Sequence, residues 1–323
     1  MPSLERPTVL LSRRWPPSVE AELRTRYHLT VNDDDRPLTR QQLAEAMARF
    51  DAVCPTVSDR IDADMLNRPD RRVKILANYG AGFEHIDLEA ARAAGIIVTN
   101  TPDVLTDATA ELALLLMLTA SRRTGEGERQ LRAGEWSGWR PTHLLGRSLR
   151  GRQLGLIGFG RIAQATAKLA VAALGMKIAY HSRRPATDVG LAARYMPDLD
   201  DLLASSDVVS LHCPGGAQTH HLIERRRLAL MKPSAILINT ARGTVVNEAD
   251  LADALKHGVI AAAGLDVYEG EPQIDAHLLA QENAVLLPHL GSATLEARTA
   301  MGNKVVANLD RFFAGDAVID QVI

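Results

Sequence analysis

Only two cysteines, Cys54 and Cys213, occur in the 323 residues, and they lie far apart. That excludes a disulfide framework and fits a reducing cytosol. Charge of one sign is also scarce, because 37 Lys and Arg stand against 39 Asp and Glu for a formal net charge of -2. Without a basic stripe the chain has no electrostatic footprint for nucleic acid. Long apolar runs are missing too. The stretch 1–17 carries Glu5, Arg6, Arg13 and Arg14 around Val9-Leu10-Leu11, not the longer apolar core of a signal peptide. The most apolar segment, Leu112 to Ala120, is too short to cross a bilayer. A soluble, cytoplasmic protein with no membrane partner is expected, and no internal repeat or low-complexity tract complicates it.

What is present is ordinary globular composition, 46% hydrophobic and 24% charged, in a chain long enough for two domains. The first hundred residues alternate. Strand-like Thr8 to Leu11 leads to a helix over about 18–26, then to strand-like His28 to Val31. Thr39-Arg40-Gln41-Gln42 has capping-box spacing ahead of Leu43 to Met47. Strands follow at 51–54 and 73–77, then a helix over about 87–94 stopped by Gly95, and a strand at 96–99. Such alternation predicts a parallel sheet covered by helices. The loop Asn78 to His85 follows a strand, where ligands of open α/β sheets bind, but it reads equally well as an ordinary turn. Residues 101–123 read as one long helix, apolar nearly all round and so buried on several sides. The charged stretch 125–150 holds Trp136 and Trp139, which suggests a contact surface and a dimer.

A second α/β series starts at Arg152 with Leu154-Gly155-Leu156-Ile157-Gly158-Phe159-Gly160-Arg161-Ile162-Ala163. Strand, glycine turn and helix N-terminus together favour a phosphate, and the pattern G-x-G-x-x-A is a form of the dinucleotide fingerprint. Further strand ends carry Arg242, Glu271 and His289. A guanidinium can grip a carboxylate through two hydrogen bonds, and a histidine can give a proton near neutral pH while a carboxylate stabilises its charged form. Singly, each residue is as well explained as a solvated or structural side chain. As a set beyond a dinucleotide motif they suit reduction of a 2-oxo acid: Arg242 holds and polarises it, His289 protonates it, and Glu271 supports His289.

These segments, with Leu105 to Glu111, Leu211-His212-Cys213-Pro214, Asn239 to Gly243, Gly264 to Val267 and Pro288 to Thr294, resemble the D-isomer-specific 2-hydroxyacid dehydrogenases over nearly the whole chain. The resemblance implies an α/β fold of two Rossmann-like domains, a flavodoxin-like substrate domain (1–100 plus 291–323) and a doubly wound dinucleotide-binding domain (101–290). A dimerisation arm would occupy about 120–150. It places the catalytic arginine, glutamate and histidine on Arg242, Glu271 and His289. The substrate carboxylate would lie on loop amides at Ala81 and Gly82, with Arg242. Arg161 and Ile162 would turn beneath the pyrophosphate that Gly158 and Gly160 admit. Thr106, Cys213, Pro214, Thr240, Ala241, Asp266 and Gly291 fall in segments that line the nicotinamide.

NAD enzymes place an acid about 20 residues past the glycines to bind the ribose 2′-hydroxyl. Here that position reads Ser182-Arg183-Arg184 with no carboxylate, so NADPH is favoured and NADH remains possible. Resemblance to the glyoxylate and hydroxypyruvate reductase branch points to a small 2-oxo acid, with bulkier ones such as phenylpyruvate open. Glu271 argues against formate dehydrogenases, which carry glutamine there, and the absence of a regulatory domain after Ile323 against phosphoglycerate dehydrogenase. A nucleotide-sensing scaffold on the same fold is the alternative of a different class. His220-His221 has no carboxylate nearby at metal-ligand spacing, so no metal site is expected. Cys213 reads as a small residue beside the cofactor, not a nucleophile.

Overall fold

The computed structural model describes residues 6–187 and 190–323; the first five residues of the stretch searched for a signal peptide lie outside them. The chain opens with β1 (Thr8–Leu11), α1 (Pro17–Arg26), β2 (His28–Val31), α2 (Arg40–Arg49), β3 (Ala52–Cys54), α3 (Ala63–Leu66), β4 (Ile75–Ala77), α4 (Leu88–Ala93) and β5 (Ile97–Thr99). It continues through α5 (Thr106–Ser121), α6 (Thr124–Arg132), β6 (Gln153–Ile157), α7 (Arg161–Leu174), β7 (Lys177–His181), β8 (Ala193–Tyr195), α8 (Leu199–Ser205) and β9 (Val208–Leu211). Then come α9 (Arg225–Leu228), β10 (Ile236–Asn239), α10 (Glu248–Lys256), β11 (Ala262–Leu265), α11 (Ala276–Leu279), β12 (Ala284–Leu286) and α12 (Leu295–Ala314). Two compact units result: one runs up to Leu105 and takes in Ser292–Ile323, the other is Thr106–Gly291. No helix among the described residues is long and apolar enough to cross a membrane.

The first unit is a five-stranded parallel sheet in the order β2-β1-β3-β4-β5, the flavodoxin-like arrangement. Strand alternation divides its core: Leu10, Val53 and Leu76 face Leu43 and Met47 of α2, while Val9, Leu11 and Ile75 face Val19 and Leu23 of α1 and Val305 and Leu309 of α12. The capping box forms as its spacing predicts, with Thr39 Oγ1 accepting from Gln42 N–H and Gln42 Oε1 accepting from Thr39 N–H. Gly302 lets α12 close on α1, since a Cβ there would lie 2.7 Å from Val19 Cγ1.

The second unit is a seven-stranded sheet, β12-β11-β10-β9-β6-β7-β8, with every pairing parallel. Strand order reverses between β6 and β9, which makes their carboxyl ends the switch point where a doubly wound sheet holds its ligand. One reading of the sequence needs correction. The long helix begins at Thr106, not Thr101, and ends at Ser121, because Arg123 turns left-handed (φ 54°) before α6 starts. Within this unit one face of it is buried, through Ala110, Ala113, Leu116, Met117 and Ala120. Leu116 packs against Gly264 of β11, but Leu115 and Leu118 on its other side are 48% and 37% exposed.

Candidate active site

Because all strands of the second unit run parallel, the residues that follow them gather along one edge of its sheet. Gly158 follows β6 with φ 83°, and a Cβ there would strike the backbone of His212 and Cys213 within 2.8 Å. Only glycine lets the turn after β6 pass this close to the end of β9. Gly160 instead faces open space and starts α7, which has no side-chain cap and no acidic residue in its first turn. The positive dipole end of α7, which carries no capping side chain and no acid, therefore suits an anion. Ala163, third of the small residues, is fully buried in the core.

At the end of β7, Ser182 Oγ donates to the Arg184 carbonyl (2.6 Å) and tightens a turn that exposes Arg183 and Arg184. Neither guanidinium has an ion pair with a described residue. Beyond β9 the buried Cys213 thiol is pushed up to about 11 by desolvation, so it is a neutral wall and not a nucleophile. Pro214 next to it is exposed. Thr240 Oγ1, after β10, is buried without a hydrogen-bond partner among the described residues. A nicotinamide carboxamide would satisfy such a group. The helix start without a capping side chain, the enforced glycine turn and this orphaned hydroxyl all fit a dinucleotide.

Asn239 shapes the turn that carries Arg242: its Nδ2 donates to the Arg242 carbonyl (2.9 Å) and its Oδ1 accepts from Ala241 N–H (3.0 Å). Gly243 is obligatory next to it, since a Cβ would sit 1.8 Å from the Tyr268 carbonyl carbon. After β11, Glu271 is held on both oxygens. Oε1 accepts from Tyr268 N–H at 2.9 Å, and Oε2 lies 2.8 Å from His289 Nδ1. Burial works against its charge, but the hydrogen bond and charge of His289, the Tyr268 amide and the Arg242 charge prevail, holding the carboxyl below its ordinary value. His289 itself is a non-glycine residue at φ 54°, a strained conformation fixed by its own N–H on the Asp266 carbonyl (3.0 Å). With Nδ1 on Glu271, its Nε2 edge is turned the other way.

Asp266 has a role that sequence reasoning missed. It is buried, and its carboxylate accepts from Leu290 N–H (2.6 Å) and Gly291 N–H (2.7 Å), so it braces the loop that carries His289. Thr109, one turn into the helix that Thr106 opens, holds the Gly291 carbonyl at 3.1 Å. No local sequence signal marks Asn239 or Asp266 as loop braces; both are strand-end polar residues like many others.

In the first unit, Ala81 and Gly82 lie on the loop after β4. Asn78 is fully buried, and its Nδ2 donates to the carbonyls of Gly80 (3.1 Å) and Gly82 (2.9 Å), while Oδ1 faces His85 Nε2 (3.0 Å). Asn100 holds the Ala81 carbonyl at 2.8 Å. The carbonyls of Gly80, Ala81 and Gly82 are thus all taken up by Asn78 and Asn100, which holds the loop in one shape with the Ala81 and Gly82 N–H groups among its donors. This favours a ligand loop over an ordinary turn.

The histidine pair also needs correction. His221 and His220 do have a carboxylate neighbour, Glu269, whose Oε1 lies 2.9 and 3.5 Å from their Nε2 atoms. It is 48 residues from His221, so sequence spacing could not show it.

A doubly wound sheet with a glycine-turn anion site at its switch point, and Arg242, Glu271 and His289 on the neighbouring strand ends, defines a nicotinamide-dependent dehydrogenase. Comparison with known proteins gives the particular kind. Residues 114–291 match the family model described as D-isomer specific 2-hydroxyacid dehydrogenase, NAD binding domain, and the chain belongs to that family. Glyoxylate reductase of Thermococcus onnurineus is 44% identical over 317 residues, which span 96% of this chain and 94% of that one. Glyoxylate reductase of Pyrococcus furiosus is 42% identical over 318 residues, with 96% and 94% covered. Among solved structures, an NADPH-dependent glyoxylate/hydroxypyruvate reductase from Sinorhizobium meliloti, in complex with NADP and malonate, superposes with a TM-score of 0.85 at 35% identity, covering 98% of this chain and 97% of that one.

Proposed function

We propose that this dehydrogenase reduces a small 2-oxo acid, glyoxylate or hydroxypyruvate, to the 2-hydroxy acid and prefers NADPH. The observation that carries the reading is the His289–Glu271 contact of 2.8 Å beside Arg242, a proton donor and a carboxylate grip on adjoining strand ends. The guanidinium of Arg242 pairs with the substrate carboxylate and polarises the neighbouring carbonyl. The loop amides of Ala81 and Gly82 are the first unit's own donors for a carboxylate. A nicotinamide, when bound, would supply the hydride to C2, and His289 is placed to give the proton that completes the hydroxyl. Glu271 keeps Nδ1 of the imidazole occupied and offsets the positive charge it carries before transfer.

Thr106, Cys213, Pro214, Thr240, Ala241, Asp266 and Gly291 surround the nicotinamide half of the site, and Gly158, Gly160, Arg161 and Ile162 the pyrophosphate. Ser182, Arg183 and Arg184 replace the acid that would repel a 2′-phosphate, which supports NADPH. The first unit serves as the substrate domain. The enzyme works in the cytoplasm as a homodimer built on residues 120–150. A panel of glyoxylate, hydroxypyruvate, pyruvate and phenylpyruvate, each with NADPH and with NADH, tests this. The highest kcat/KM is expected for glyoxylate or hydroxypyruvate with NADPH. Turnover of phenylpyruvate alone, or none with any acid despite NADPH binding, would overturn it.

A further inference from the structure

His220 and His221 follow one another in sequence, and side chains of consecutive residues in extended chain point to opposite sides. Here they do not. His221 takes φ 48°, a left-handed conformation costly for a non-glycine residue, and both rings swing to the same side. Their centroids are 3.9 Å apart at an interplanar angle of 33°. Glu269, two residues before Glu271, completes the group from the loop after β11. Its Oε1 is 2.9 Å from His221 Nε2 and 3.5 Å from His220 Nε2. Asn247, at the start of α10, stands 3.4 Å from His221 Nδ1 and steadies that ring on the side away from Glu269. Among the described residues no other group of three or more His, Cys, Asp and Glu side chains brings its donor atoms within 4.8 Å of one another.

We propose that His220, His221 and Glu269 form a binding site for a divalent transition-metal ion of the zinc type. Two ligands at about 2.1 Å from a tetrahedral ion stand about 3.4 Å apart, and the two nitrogen–oxygen separations bracket that value. Two imidazoles with one carboxylate suit Zn²⁺, Co²⁺ or Ni²⁺; magnesium and calcium take oxygen ligands. The ion takes the Nε2 lone pair of His221 in place of the contact with Glu269, the neutral ring keeps its one proton on Nδ1, and solvent fills the remaining position, since all three side chains reach the surface. Bound there, it clips the loop after β9 to the loop that carries Glu271. The site is separate from Arg242, Glu271 and His289 and does not depend on which 2-oxo acid the enzyme reduces.

The test uses tag-free enzyme stripped with EDTA and desalted. Zinc sulfate is titrated against a chromophoric chelator, and the thermal midpoint is followed with and without zinc. Wild type is expected to take up one zinc per chain at micromolar affinity and to melt higher with it, and magnesium chloride to do neither. His220→Ala and Glu269→Gln should each weaken uptake at least about tenfold and abolish the thermal shift. Circular dichroism and NADPH-dependent turnover of His220→Ala confirm that it is folded. His257→Ala, which removes an exposed histidine elsewhere, should bind zinc as wild type does. Zinc uptake by His220→Ala equal to that of wild type, or no uptake by wild type at micromolar zinc, would overturn the proposal.

Discussion

At the scale of single residues, His289 is the most constrained side chain of the site. Backbone strain at φ 54° is held by its N–H on Asp266, and the ring is aimed by Glu271 at 2.8 Å. A Gln in place of Glu271 can still accept from Tyr268 N–H, but it cannot offset an imidazolium charge. Glu271→Gln should therefore lower kcat about a hundredfold while the Kd for NADPH, read by fluorescence titration, stays within about twofold. An unchanged kcat would remove Glu271 from the mechanism. His212 shows burial acting in the other direction. Desolvation pushes it down to about 4, and Ser210 Oγ lies 2.9 Å from its Nε2. The unfolded chain takes up a proton there below about 6.5 while the folded protein stays neutral, so stability falls as pH drops from about 6.5 towards 4. The loss is at most about 3 kcal/mol. Melting midpoints of wild type and His212→Asn across that window check this: the slope should be shallower in the variant, and equal slopes would refute it.

Loops set the chemistry at the scale of elements. The turn after β4 is held in shape by Asn78 and Asn100 on the carbonyls of Gly80, Ala81 and Gly82. Asn78→Ala removes two of those hydrogen bonds, both inside the loop after β4. KM for the 2-oxo acid should rise about tenfold or more, with the KM for NADPH unchanged. A rise in both would mean general loosening, not a carboxylate subsite. The turn after β7 makes a parallel prediction for the nucleotide. Arg183→Ala with Arg184→Ala should raise KM for NADPH far more than for NADH, and equal effects would sink the 2′-phosphate assignment. Capping residues and glycines made many elements legible beforehand: Thr39 and Gln42 for α2, Asp87 and Gly95 for α4, the glycine turn for β6 and α7. β8 escaped because a three-residue edge strand, partly exposed, has no apolar run. α8 escaped although Asp198 caps it and Leu199, Leu202 and Leu203 mark a buried face.

Taken whole, the molecule was legible where function depends on residues next to one another in sequence, and illegible where it depends on what folding brings together. Arg242, Glu271 and His289 each stand in a local motif, whereas the bracing of His289 by Asp266 and the approach of Glu269 to His221 are contacts between separate strand ends. The outer face of α5 belongs to this class. Its apolar run predicted burial on several sides, and Leu115 and Leu118 are open within this chain, while α6 beyond has no buried residue. Leu131, Trp136, Trp139 and Leu145 continue the exposure at 61%, 53%, 82% and 65%. Each side chain of this size left in water forgoes roughly 1.5–3 kcal/mol of burial, and several within one stretch of chain favour a second copy as cover. Tyr, Trp and Met are also the residue types enriched at such contacts. The enzyme should therefore sediment with the mass of two chains at micromolar concentration. Leu118→Lys with Trp139→Glu should shift it to one chain, while far-UV circular dichroism and NADPH binding persist because neither residue reaches the strand ends that hold the nucleotide. A wild-type protein that sediments as one chain would leave these side chains without a partner copy and refute the dimer.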